Sequence, residues 1–154
     1  MNLLGALKEN VFANLTKEER PPGTDLDYLT LFGLLLYEVA AVSQGISEDE
    51  QLVIKEIMVR ELDLKENEWG YTYEVIKATA GQEINLRRIT SEFNKVADYE
   101  TRKAMLINLL KVASADGIIE KVEFIKIKWL ANYLWITPKD FNELKQDYHS
   151  IIEF

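Results

Sequence analysis

Apolar positions along this chain recur at steps of three and four, the spacing that lines one face of an α-helix. Residues 1–16 place Leu3, Leu4, Leu7, Val11, Phe12 and Leu15 on such a stripe. That first helix should end before Pro21-Pro22-Gly23, a run that no helix continues through. Thr24-Asp25 offers an N-cap for a helix over residues 26–43, apolar nearly all round, with Gly45 as its stop. Ser47-Glu48-Asp49-Glu50 reads as a capping box, Ser at the cap and Glu three later. The helix it starts carries Val53, Ile54, Ile57, Met58 and Leu62. Trp69, Tyr73, Ile76 and Ala80 mark a helix over 67–80, closed by Gly81, and Leu86, Ile89, Phe93, Val96 and Ala97 mark the next. Residues 99–115 form a second strongly apolar helix through Ala104, Met105, Leu106, Leu109, Leu110, Val112 and Ala113. After Asp116-Gly117 comes a helix with Phe124, Ile127, Leu130, Tyr133 and Leu134. Thr137-Pro138-Lys139-Asp140 opens the last one, with Thr as cap and Pro in the first turn. Only residues 125–129 alternate like a strand, and with no turn signal on either side they belong to the helix.

These elements predict an all-α, single-domain helical bundle over residues 1–154, of some seven or eight helices. The stretches 29–42 and 104–115 are so apolar that both must lie at its centre as neighbours. The chain also repeats itself. At an offset of 72, Ala41, Gly45 and Ile46 fall on Ala113, Gly117 and Ile118, and Leu62 and Leu64 fall on Leu134 and Ile136. Glu50 meets Glu123 at 73, so the two turns differ in length by one residue. Repeat halves of about 25–80 and 98–150 imply like helix hairpins around a pseudo-twofold axis.

Composition narrows the chemistry. The absence of Cys excludes disulfides, thiolate nucleophiles and cysteine-ligated zinc or iron–sulfur sites. A net charge of −8 repels a phosphate backbone, so nucleic acid is not an expected partner, whereas divalent cations and basic proteins are. The stripe in 1–16 is interrupted by Lys8, Glu9 and Asn10, unlike a signal core. The greasy window 29–42 carries Glu38 and falls short of the ~20 residues of a membrane span. A cytoplasmic location without membrane insertion is the expectation.

Carboxylates cluster at the two turns. Asp116, Glu120 and Glu123 lie within eight residues, and Glu48, Asp49 and Glu50 endow the first turn similarly, with Gln44 in place of an aspartate. Oxygen ligands around a tight glycine turn suit hard cations. The competing role is local, since acidic residues in a first turn cap the helix and complement its dipole. An EF-hand loop fails, because setting Gly117 at its sixth position puts Val112 at the first. His149 has no second imidazole to share a metal with. Trp69, Trp129 and Trp135 sit in apolar segments and read as core. Ser43, Ser47, Ser91 and Ser114 lack a neighbouring histidine, and Ser150 and His149, adjacent on a helix, point apart. With no phosphate-cradling glycine loop either, the chain is not expected to be an enzyme.

Ala113-Ser114-Ala115-Asp116-Gly117, then Glu123, an apolar helix and Leu134-Trp135-Ile136 before a capped helix, resembles the TerB (tellurite-resistance protein B) family over about residues 25–145. The resemblance implies an all-helical cytoplasmic domain of two like halves. It also implies an acidic surface that binds a divalent cation (Ca, Mg or Zn), a link to tellurite and other stress responses, and membrane-associated partners. Carried over by position, Asp116 and Glu123 match the second half and Glu50 the first, while Gln44 departs from the expected aspartate. The expected function is thus weak divalent-ion binding through Asp116, Glu120, Glu123, Glu50 and Glu48. The alternative is a helical adaptor whose acidic face docks a basic protein without metal. Two local demands accompany this reading. Gly117 should take a positive φ, and Glu123 must serve the orphan N–H groups of a helix that lacks a Ser or Thr cap.

Overall fold

The computed structural model describes residues 27–42, 45–82 and 85–153. The expected helix in 1–16, its Pro21-Pro22-Gly23 stop, the Thr24-Asp25 cap and Gln44 lie outside the described residues. Among the described residues seven α-helices follow in order: α1 Tyr28–Ala40, α2 Glu48–Leu62, α3 Trp69–Ala80, α4 Leu86–Val96, α5 Tyr99–Ala113, α6 Lys121–Tyr133 and α7 Pro138–Lys145. Short 3-10 turns precede α3 and follow α7. Among the described residues there is no sheet, only an isolated parallel bridge between Ile119 and Ile152. No helix among them is long and apolar enough to cross a membrane.

α1 is the hub because its apolar residues surround it. Tyr28, Leu31, Phe32, Leu34, Leu35, Leu36, Val39 and Ala40 are all fully buried, and α2, α3, α4, α5 and α6 pack round them. Its cap is Asp27, whose carboxylate accepts from the Thr30 N–H at 2.7 Å. At Gly33 the helix meets α3 so closely that a Cβ would run into the Ile76 side chain. Tyr28 stacks on Phe93 of α4 with ring centroids 5.8 Å apart, and Glu38 reaches Lys126 of α6 at 3.3 Å. α5 is the second central helix and lies against α1, as its pattern demands, and buries Met105, Leu106, Leu109, Leu110, Val112 and Ala113. α2 then crosses onto α5, and α6 crosses onto α1.

The repeat is written into the backbone as well. Positive φ occurs at Gly45 (97°) and Gly117 (95°), and again at Asp63 (52°) and Trp135 (58°). Each pair is separated by 72 residues. Gly117 meets its expectation, but neither glycine closes a helix directly. α1 stops at Ala40 and α5 at Ala113, each followed by an ordinary turn, and the glycines redirect the chain a few residues later. The stops expected near residues 43 and 115 therefore come two or three residues early.

Two tryptophans correct the reading as core. Trp69 is buried, but Trp129 is 59% exposed and Trp135 69% exposed. The buried face of α6 runs through Phe124, Ile127, Leu130 and Ala131, and position 129 lies on the opposite side. Trp135 sits beyond the helix end, in the left-handed conformation.

Candidate functional site

Both elbows of the hairpins are closed by the same device. In the first, the Ser47 hydroxyl accepts from the Glu50 N–H at 3.1 Å while a Glu50 carboxylate oxygen accepts from the Ser47 N–H at 3.0 Å. In the second, Glu123 accepts from the Glu120 N–H at 3.0 Å, with no hydroxyl to match Ser47. Glu123 thus serves the helix start as its sequence context requires. Ser47→Ala is expected to cost about 1 kcal/mol, measured as a lower urea midpoint at unchanged slope.

The two capping glutamates face inward. Glu50 is 6% exposed and Glu123 3% exposed, although carboxylates in a first turn are ordinarily solvated. The two side chains lie close enough for Glu50 to act on the Glu123 carboxyl, joining one elbow to the other. Burial, with the negative charges of Glu50 and Glu120 adding to it, pushes the Glu123 carboxyl up to about 8. Glu123 therefore keeps its proton near neutrality, held up by its burial beside Glu50.

The other predicted site residues are placed differently. Glu120 is half-buried at the N-cap of α6 and acts on Glu123 through its charge. Asp116 is exposed, with a carboxylate oxygen 3.5 Å from the Ile118 N–H of its own turn. Glu48 lies on the outer side of α2, in a groove with Gln51, Leu52, Lys55 and Trp69. Among the described residues, no three of His, Asp or Glu are grouped as a full metal site would need. The donor set that is assembled is two buried carboxylates, each already accepting one backbone N–H, and oxygen is the ligand type of hard cations. It does not fit zinc, whose nitrogen or sulfur ligands have no counterpart here. Pairing of Glu50 with Glu123 was signalled by the repeat; their burial was not.

A second feature escaped the periodicity altogether. Ile118, Val122, Ile125 and Trp129 are exposed apolar residues at steps of four, three and four. The alternation through 125–129 was the available signal, because apolar residues fell on two faces of α6 rather than one.

A family model described as Tellurite resistance protein TerB matches residues 31–146. That span runs from α1 through α7 and includes both elbows. No curated protein and no solved structure matches the chain.

Proposed function

Because this chain belongs to the TerB family, we propose that it is a non-enzymatic binding protein of the tellurite and stress response that takes up a divalent cation weakly at its paired elbows. The observation that carries this is the meeting of Glu50 and Glu123, buried and side by side at matching places in the two hairpins. Glu50 and Glu123 would hold the ion, Glu120 would add to the field, and the ion would supply the positive charge that the facing carboxylates lack. Calcium or magnesium suits these ligands best. The Ser47 hydroxyl caps its helix, and the two carboxylates each accept a capping N–H as well.

The test is calorimetric titration of CaCl₂ and MgCl₂ into the protein at pH 6 and pH 9. Dissociation constants of ~10⁻⁴–10⁻³ M are expected at the higher pH, as for weak calcium modules. Binding should be weaker at pH 6, where the proton on Glu123 competes. Glu50→Gln and Glu123→Gln should each remove it. Titrations indifferent to pH and to both substitutions would sink the reading.

A further inference from the structure

The outer face of α6 answers to neither the elbows nor the core. Val122, Ile125 and Trp129 form an apolar ridge about 10 Å long at the helical rise, and Ile118, exposed in the segment that leads into the helix, lies four residues before Val122. Beyond Trp129 the same face continues through Asn132 to a groove of about 380 Å³ lined also by Arg87, Asn94, Tyr133 and Trp135. Lys121, Lys128 and Asn132, at steps of seven and four, border the ridge along one side and are exposed. Neither lysine makes an ion pair among the described residues, as is also true of Lys65, Lys111 and Lys139. In a chain of net charge −8, what sets Lys121 and Lys128 apart is their place, on one border of an exposed apolar ridge.

Trp135 adds an independent observation. A bulky residue at positive φ is uncommon, and here the left-handed turn closes α6, with the Ile136 N–H donating to the Ala131 carbonyl at 2.9 Å. The matching place in the first hairpin holds Asp63, a residue type that takes this conformation readily. Arg102 holds the left-handed turn, donating to the Leu134 carbonyl at 2.8 Å with its guanidinium over the Trp135 ring. Trp and Arg are the residues that most often anchor interfaces.

We propose that the ridge Val122–Ile125–Trp129, with Ile118, Lys121 and Lys128, docks an amphipathic helix of a partner protein whose apolar stripe is bordered by carboxylates two turns apart. Charge selects the occupant. A second copy laid antiparallel on this face would bring Lys121 of one against Lys128 of the other, and like charges across an interface disfavour it. A carboxylate-bordered helix pairs both lysines, covers about two turns of ridge, and continues towards the Trp135 groove. Lys121 and Val122 precede Glu123 in the chain but are exposed where Glu123 is buried, and Ile125, Lys128 and Trp129 lie beyond the elbow, so peptide binding is read apart from cation binding.

The probe is a synthetic 18-residue amphipathic helix with leucines along one face and glutamates seven apart on its border, beside a version with lysines in those places. Both are titrated into the full chain at low salt, and the contact is mapped by amide NMR shifts. The glutamate peptide should bind at least about tenfold tighter than the lysine peptide, with shifts concentrated on residues 118–135. Lys121→Glu with Lys128→Glu should reverse that preference, and Ile125→Asp should abolish both, with circular dichroism unchanged because all three positions are exposed. Equal affinity for the two peptides, or a preference the charge reversal leaves intact, overturns the proposal. So does a concentration-dependent dimer that Ile125→Asp dissolves, which would assign the ridge to a second copy. Binding to phosphatidylglycerol vesicles with neither peptide bound would overturn it in favour of a lipid surface.

Discussion

Glu123→Gln is expected to make the protein more stable than the wild type at pH 9, by about 2–3 kcal/mol, and to leave it nearly unchanged at pH 4. The glutamine keeps the cap, since its amide oxygen accepts the Glu120 N–H as the carboxylate does. What it removes is a titration. The Glu123 carboxyl is raised from 4.5 to about 8 in the folded chain, by burial first and then by the charges of Glu50 and Glu120. Below pH 4.5 it is protonated folded or unfolded and adds no pH dependence. Between 4.5 and about 8 the folded chain holds a proton that the unfolded chain has released, so stability falls as pH rises. Above about 8 the charged form is buried in full and the loss levels off. The whole interval bounds the effect on the order of 5 kcal/mol, and local rearrangement around the charged pair brings the expected difference to roughly half of that. Urea midpoints of wild type and Glu123→Gln, taken across pH 4–10, give the curve. Two parallel curves would show that Glu123 ionises freely. Glu50→Gln should shift the falling limb of the wild-type curve to lower pH, because one of the charges that raises the Glu123 carboxyl is gone.

The second large effect lies in the core. Gly33→Ala ordinarily favours a helix by about 1 kcal/mol, yet here it should destabilise by about 1–3 kcal/mol. The new methyl would overlap the Ile76 side chain and come within 3.3 Å of the Met58 terminal methyl. Ile76 and Met58 are themselves fully buried, so neither has an open direction in which to yield. Ile76→Val removes the terminal carbon that meets the methyl most closely, at a cost of about 0.5–1.5 kcal/mol alone. The double variant Gly33→Ala with Ile76→Val should therefore lose less than the two single changes together, a coupling that a double-mutant cycle measures directly. Strict additivity would mean that α1 and α3 separate to admit the methyl.

The centre of this fold was legible because burial leaves a one-dimensional trace there. A helix with almost no polar face can only be surrounded, and α1 is, whereas α5 buries its apolar side and leaves Glu100, Ala104 and Lys111 exposed. Ser47 with Glu50, and Thr137 with Pro138, likewise announced their helix starts, since a cap is a contact within one turn of chain. Gly45 misled for the same reason turned round. A glycine near a helix end suggests a stop, but α1 had already ended at Ala40, where the chain turns without help from glycine. The elbows were half legible. Repeat and capping pattern put Glu50 and Glu123 in equivalent roles, but whether those roles face solvent or each other depends on how α2 and α6 cross the central pair. The ridge was invisible for a simpler reason. Periodicity marks apolar faces without saying which of two is covered, and α6 has Ile127 and Leu130 on one side and Ile125 and Trp129 on the other.

The bridge between Ile119 and Ile152 also ties the second elbow to a distant part of the chain. Ile119 donates to the Ile151 carbonyl at 2.9 Å and accepts from the Glu153 N–H at 2.8 Å, so the strip of chain leading into Glu120 is pinned by residues made some thirty positions later. Shortening the chain by residues 151–153 would therefore free the strip that holds Glu120 at the start of α6, so the second elbow depends on a segment that takes no part in its own cap.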